Sequence, residues 1–179
     1  MKKLCMILPM ALILCFMVCC QDREAMAELE EMKAQAEVEE QNKELMIRWI
    51  EEMDKGNFDI YDELCADDYL SYFPGSPEPL NREAHKQAAQ ASYIAFPDFK
   101  HTIEDVIAQG DKVVMRVTDK GTHEGEFNGI PPTGKEIEFT VIIIGRIVDG
   151  KLVEAWLEAD FIGLYQQLGM ELKPKEAEK

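Results

Sequence analysis

The ionisable residues that could do chemistry gather near the end of the chain. Glu154, Glu158 and Asp160 flank Trp156, and His123 lies upstream in Gly121-Thr122-His123-Glu124-Gly125. A carboxylate buried beside a histidine can take a proton from a substrate and return it. Asp160, Glu158 and His123 are therefore the catalytic candidates. Each also has a structural role open to it. Asp160 precedes Phe161-Ile162-Gly163-Leu164 and suits the N-cap of a closing helix. Glu158 alternates with Trp156 on one strand face and suits a surface or subunit contact. Trp156 itself could stack on a ligand or pack between subunits. His123 can fix the loop that follows it through a hydrogen bond. His85 falls on a predicted helix surface and His101 at a strand start. No spacing of His, Asp and Glu argues for a metal.

The elements that position these groups follow from the pattern. Leu45, Met46, Trp49, Ile50 and Met53 form one apolar helical face, and Gly56 is a natural stop. Residues 58–65 read as a second, shorter helix and 67–73 as a short strand. Asn81 can cap a third helix over 82–95, whose apolar side uses Ala84, Ala88, Ala91 or Ser92, and Ile94 or Ala95. Alternating β-rich stretches occupy 99–108, 112–122, 136–148 and 151–159, with Gly110-Asp111 and Asp149-Gly150 as hairpin signals. Pro131-Pro132-Thr133-Gly134 is a rigid turn. Residues 161–168 read as a closing helix ended by Gly169. The order predicts an α+β fold: a curved antiparallel sheet covered by the N-terminal helices, making a cone with a pocket between helix and sheet.

Outside this domain (42–170) the sequence reads differently. Lys2 and Lys3 precede an uncharged apolar run over 4–20, which ends in Cys19-Cys20 and turns polar at once. This resembles a bacterial lipoprotein signal over 1–19, with Cys20 as the lipidated residue and Cys19 as the alternative. The expectation is a cell-envelope protein held to a membrane by its N-terminal lipid, facing the periplasm or the exterior. Residues 20–41, rich in Glu, Ala, Met and Lys, form a helical or flexible tether, and 171–179 a frayed tail. Of five cysteines this leaves Cys65 alone in the domain, as a small buried residue. A formal charge of −16 sets nucleic-acid binding aside.

The run Gly-Thr-His-x-Gly-Glu-Phe-x-Gly-Ile-Pro-Pro-Thr-Gly-Lys over 121–135, the Arg146-Ile-Val-Asp-Gly-Lys151 hairpin and the terminal Gln167-Leu168-Gly169 resemble the SnoaL-like polyketide cyclases of the nuclear-transport-factor-two-like superfamily. The resemblance covers residues 43–169. It implies the cone fold, often dimeric, and an intramolecular aldol ring closure in an apolar pocket, with an acidic side chain moving the proton and no metal or cofactor. The family's acid position, six residues past the hairpin lysine, is Leu157 here. The position of its histidine is Ile143. Neither can move a proton. Strand alternation agrees: Val153, Ala155, Leu157 and Ala159 share one face, and Ile137, Phe139, Val141, Ile143 and Ile147 share another. The first expectation is thus a binding module whose greasy cone holds a small apolar molecule against Tyr69, Phe73, Tyr93, Phe139, Ile143 and Leu157. The alternative is a cyclase or isomerase whose acid has moved to Asp160 or Glu158, assisted by His123. A dimeric scaffold with a filled cone is a third.

Overall fold

The structure, a computed structural model, describes residues 4–171 and 173, with side chains described from residue 23 onward. The expected signal, Cys20 and nearly all of the expected tail lie outside the described side chains. Among the described residues no helix is long and apolar enough to cross a membrane. The chain divides into two compact units, Met1–Val38 and Glu39–Lys179. In the first, residues from 4 onward are helical, and Met26, Leu29 and Met32 are exposed.

The second unit has α+β architecture. It contains the C-terminal part of α1 (Leu4–Asp54), then α2 (Ile60–Leu64), β1 (Cys65–Tyr72), β2 (Leu80–Asn81), α3 (Arg82–Ala95), β3 (Lys100–Gln109), β4 (Lys112–Thr122), β5 (Glu136–Val148), β6 (Lys151–Ala159) and α4 (Phe161–Leu168). The six strands form one curved sheet in the order β2-β1-β6-β5-β4-β3. The meander β3 to β6 is antiparallel, as the hairpin signals require. The β1–β6 pairing is parallel, which corrects the expectation of an antiparallel sheet throughout. Its physical reason is the route of the chain. β1 enters the sheet beside β6 from the helices rather than through a hairpin, and β2 turns back along it as the edge strand.

Local chemistry accounts for the element ends. The Asn81 side chain accepts from the Ala84 N–H at 2.9 Å, and Asp160 accepts from the Gly163 N–H at 2.8 Å. Each satisfies a helix N–H that lacks an intrahelical partner. At the β5–β6 hairpin both Asp149 and Gly150 have positive φ, 50° and 71°, the conformation a two-residue turn needs. Gln167 ties α4 to the sheet: its side chain accepts from the N–H of Glu138 and donates to the carbonyl of the same residue, both at 2.8 Å.

The core lies between the helices and the inner face of the sheet. Met46, Trp49, Ile50 and Met53 of α1 are buried there. Gly145 on β5 lets α1 approach, since a Cβ built at this position would stand 2.7 Å from Met46 Sδ. Inward residues alternate along β4 and β5: Val113, Met115, Val117 and then Ile137, Phe139, Val141, Ile143. On β6 the alternation breaks at a register shift opposite Arg146 and Ile147. Leu152 is therefore buried and Val153 only half-buried, so the first inward residue is Leu152 rather than Val153. Cys65 is free and buried, as the first residue of β1. Burial, the largest cause, pushes its thiol up to about 12, which leaves it a packing residue rather than a nucleophile.

Candidate active site

Between the helices and the sheet is a cavity of about 160 Å³. One wall is formed by β5 and β6, through Phe139, Val141, Ile143, Leu157 and Ala159. Ile143 and Leu157 sit directly opposite one another across the two strands. The helices supply Trp49, Met53, Tyr61, His85 and Tyr93, and Phe73 closes the space beyond β1. Ala88, an exposed residue, stands on the rim. This is the size and chemistry of a site for a compact, mostly apolar molecule; an engineered dry cavity of roughly 150 Å³ takes benzene.

The wall on β3 and β4 is different. Asp119 and His101 are paired across these strands, and both line the cavity. Asp119 continues the inward series Val113, Met115, Val117, and is 6% exposed. Its Oδ1 is fully buried with no hydrogen-bond partner among the described residues. His101 Nε2 lies 3.8 Å from that oxygen. On its other side, His101 Nδ1 is 2.7 Å from Oδ1 of Asp54, the last residue of α1. The Asp54 carboxylate also accepts from the Tyr93 hydroxyl at 2.9 Å and from the His101 backbone N–H at 3.3 Å. With Asp54 accepting, Nδ1 carries the ring proton, and Nε2 faces Asp119.

The two carboxyls flanking the imidazole are tuned in opposite directions. Burial, the largest cause, raises Asp119 to about 6; the nearby Asp54 charge reinforces this and His101 opposes it. Burial also acts on Asp54 as the largest single cause. There it is outweighed by the hydrogen bonds from His101 and Tyr93 and by the His101 charge, so Asp54 stays below the usual carboxylate range. One carboxyl is held ionised, and the other is poised to exchange a proton near neutrality.

The candidates expected from sequence fall in several places. Phe73, Tyr93, Phe139, Ile143 and Leu157 line the cavity. Tyr69 is wholly buried one layer behind, with its hydroxyl 2.8 Å from His85 Nδ1. The catalytic candidates are not brought together. Asp160 is exposed and spends its carboxylate on the α4 cap. Glu158 is exposed opposite Ile142, on the outer face of β6. His123 is fully buried, but its Nδ1 accepts from the Thr133 N–H at 3.3 Å and lies 3.1 Å from the Thr133 hydroxyl. It fixes the Pro131-Pro132-Thr133-Gly134 turn. Among the described residues the cavity is not lined by any of these three. Alternation explains Glu158, capping explains Asp160, and the turn explains His123.

Two further expectations are corrected. The cavity has an acid, Asp119. His85 is not on a helix surface but 4% exposed. α3 presents His85, Ala88, Ala89 and Ser92 to the cavity and buries Ala95; of the expected apolar side (Ala84, Ala88, Ala91 or Ser92, Ile94 or Ala95) this keeps Ala88, Ser92 and Ala95 and puts His85 where Ala84 was expected. The small alanines made both faces of α3 look equally apolar, and Ile94 is left 72% exposed. Asp119 was reachable from sequence, because it continues the apolar alternation of β4. Asp54 carried no sequence signal of its own, being one acid among several at the end of an amphipathic helix. Among the described residues no cluster of three or more His, Cys, Asp or Glu could hold a metal ion.

Comparison with known proteins places the fold in a family. The model of the family described as SnoaL-like polyketide cyclase matches residues 44–168. Aklanonic acid methyl ester cyclase DauD of Streptomyces sp. (strain C5) is 31% identical over 131 residues, which cover 70% of this chain and 80% of DauD. Two solved structures superpose on the same region. IdmH of Streptomyces antibioticus does so with a TM-score of 0.65 at 31% identity, covering 72% of this chain and 99% of IdmH. AclR of Streptomyces galilaeus does so with a TM-score of 0.68 at 25% identity, covering 73% of this chain and 97% of AclR. The chain therefore belongs to the SnoaL-like polyketide cyclase family.

Proposed function

We propose that the protein binds a compact, mostly apolar carbonyl compound in this cavity and moves a proton on it, with Asp119 as the acid–base group in place of the acid missing at Leu157. The observation that carries the reading is the unpartnered Asp119 Oδ1, buried in an apolar cavity. An ionised Asp119 takes an α-hydrogen from the bound compound, leaving an enolate. The proton can pass on to His101 Nε2, because Asp54 holds Nδ1 on the far side. Return of the proton to a different carbon of a conjugated enolate completes an isomerisation; attack of the enolate on a second carbonyl closes a ring, and the alkoxide so formed takes the proton back. The kinship with aklanonic acid methyl ester cyclase supports this reaction class. The cavity size supports smaller compounds than a fused multi-ring ester, unless the helices move apart.

The test uses 2-indanone, a compact ketone with acidic α-hydrogens, in heavy water. Wild-type protein should exchange those hydrogens, with a rate that rises as pH passes about 6 and then levels, since the ionised form is the base. Asp119→Asn should lose about 10²-fold or more of that rate. Equal rates in the two proteins would refute the assignment.

A pure binding role is favoured by one observation, the facing aliphatic pair Ile143 and Leu157 at the positions where the family resemblance puts the histidine and the acid. Binding of 2-indanone with no exchange above buffer would establish it. We further propose that lipid on Cys20 tethers the domain to a bacterial membrane. The support is the apolar run over 4–20 and its abrupt polar end. Cys20→Ser should move the full chain from the membrane to the soluble fraction; unchanged fractionation in Cys20→Ser and in Cys19→Ser would exclude lipid anchoring.

A further inference from the structure

A second polar group faces the same cavity, and the proton transfer above does not use it. His85 projects from α3 into a cage of four aromatic rings. Tyr69 stacks parallel to it at 5.9 Å between centroids, and Phe73, Tyr61 and Trp49 meet it edge-on at 5.1, 5.1 and 5.7 Å. Of its two nitrogens, Nδ1 is taken by the Tyr69 hydroxyl at 2.8 Å. Nε2 is left for the cavity that the ring lines. Burial pushes the imidazole down to about 3, so it is neutral across the physiological range and has one proton to place. A phenol is the natural donor to a neutral imidazole nitrogen. If Tyr69 donates to Nδ1, the ring proton stands on Nε2.

The neighbours sharpen the point. Trp49 Nε1 and the Tyr61 hydroxyl belong to residues lining this cavity, and both atoms are fully buried without a hydrogen-bond partner among the described residues. Buried indole N–H and phenol O–H groups ordinarily find an acceptor. Here two buried donors, on Trp49 and Tyr61, belong to rings that contact His85, and neither has an acceptor among the described residues. Asp119 offers the opposite arrangement, an acceptor without a donor.

We infer that His85 Nε2–H receives the carbonyl oxygen of the ligand, and that Tyr69 is the positioning residue that keeps the proton on Nε2. The ligand class this selects is a ketone or ester whose oxygen points to His85 and whose α-carbon turns towards Asp119. A neutral donor aimed at that oxygen stabilises the enolate more than the ketone, because charge develops there only as the proton leaves. The inference rests on the cavity being the ligand site.

The test is the infrared carbonyl band of 2-indanone bound to the full chain, compared with its band in hexane, with indane as the control that lacks the oxygen. In wild type the band should lie well below the hexane value. His85→Leu should move it back towards hexane and weaken 2-indanone binding about tenfold, the loss expected for one hydrogen bond, with indane affinity little changed. His85→Gln, which restores a side-chain N–H at similar reach, should recover the lower frequency. Tyr69→Phe should give an intermediate band, since the tautomer is then unpinned; a Tyr69 that merely packs would leave it unmoved. Asp119→Asn should lose α-hydrogen exchange while keeping the infrared shift, which separates failure at the two sites. A wild-type band at the hexane value, a His85→Leu protein that binds 2-indanone as well as wild type, or no binding of 2-indanone by wild type would each overturn the inference.

Discussion

On β5 and β6 the cavity wall is Phe139, Val141, Ile143, Leu157 and Ala159. On β3 and β4 it holds His101 and Asp119, with Asp54 behind them. Both walls belong to one sheet and obey the same inward alternation. They differ in that the first is aliphatic at the facing pair Ile143 and Leu157, while the second has an acid where its own series is otherwise apolar. A curved sheet offers several inward positions of similar burial. A carboxyl at any of them meets the same desolvation, which raises its pKa towards the range useful for proton transfer. What makes the β4 position workable is the support behind it. His101 can share the proton, and Asp54 is kept anionic by its hydrogen bonds to hold the imidazole in place. The apolar wall offers no such support.

Breaking that contrast gives the largest effect outside activity. Leu157→Asp would return a carboxyl to the apolar wall, without a partner, and should destabilise the domain by about 2–3 kcal/mol. Leu157→Met should stay within about 1 kcal/mol. Urea midpoints of the two variants at neutral pH decide this.

The second wall predicts its own pH signature. The Asp119 pKa is raised in the folded state above the ordinary aspartate value of 3.8, so the folded protein holds the proton more tightly. Stability should therefore be greatest below about pH 4 as far as this group is concerned, fall between about pH 4 and 6, and stay lower above, by up to about 3 kcal/mol. Asp119→Asn should flatten that decline and be more stable than wild type at pH 7.5. Asp54 works the other way. Its lowered pKa contributes stability at neutral pH that is lost on acidification, as pH falls from the ordinary aspartate value of 3.8 through the lower folded-state value. Unfolding curves from pH 3 to 8 on wild type and Asp119→Asn separate the two carboxyls.

Smaller changes sharpen the picture. Tyr93→Phe removes one of the hydrogen bonds that hold Asp54 anionic and should cost about 1 kcal/mol, with the exchange rate falling while 2-indanone still binds. Asp160→Asn should cost only a few tenths of a kcal/mol and leave exchange unchanged, since asparagine caps as well as aspartate.

Much of the fold was legible in the sequence, because its strands alternate cleanly and its ends are marked by Asn81, Gly110, Gly150 and Gly169. The parallel β1–β6 pairing was not, since no local turn joins two strands about 80 residues apart. Half of the cavity was legible too: the faces that carry Phe139, Ile143 and Leu157 follow from period-two alternation. The chemistry was missed for a different reason. Asp119 sits between Thr118 and Lys120 in a polar stretch, and only its place in the series Val113, Met115, Val117 marks it as inward. His85 needed the rotation of α3 about its own axis, which a helix of small residues leaves undetermined from sequence. Asp54 needed a contact spanning 47 positions to His101.

The measurement closest to the central claim is a carbon-13 NMR titration of the Asp119 side-chain carboxyl in the folded protein, assigned through Asp119→Asn. A midpoint near about 6, shifting when 2-indanone is added, is the result expected of a buried base that touches the ligand. A midpoint near that of an ordinary aspartate, unmoved by the ketone, would contradict the account and return the cavity to a binding role alone.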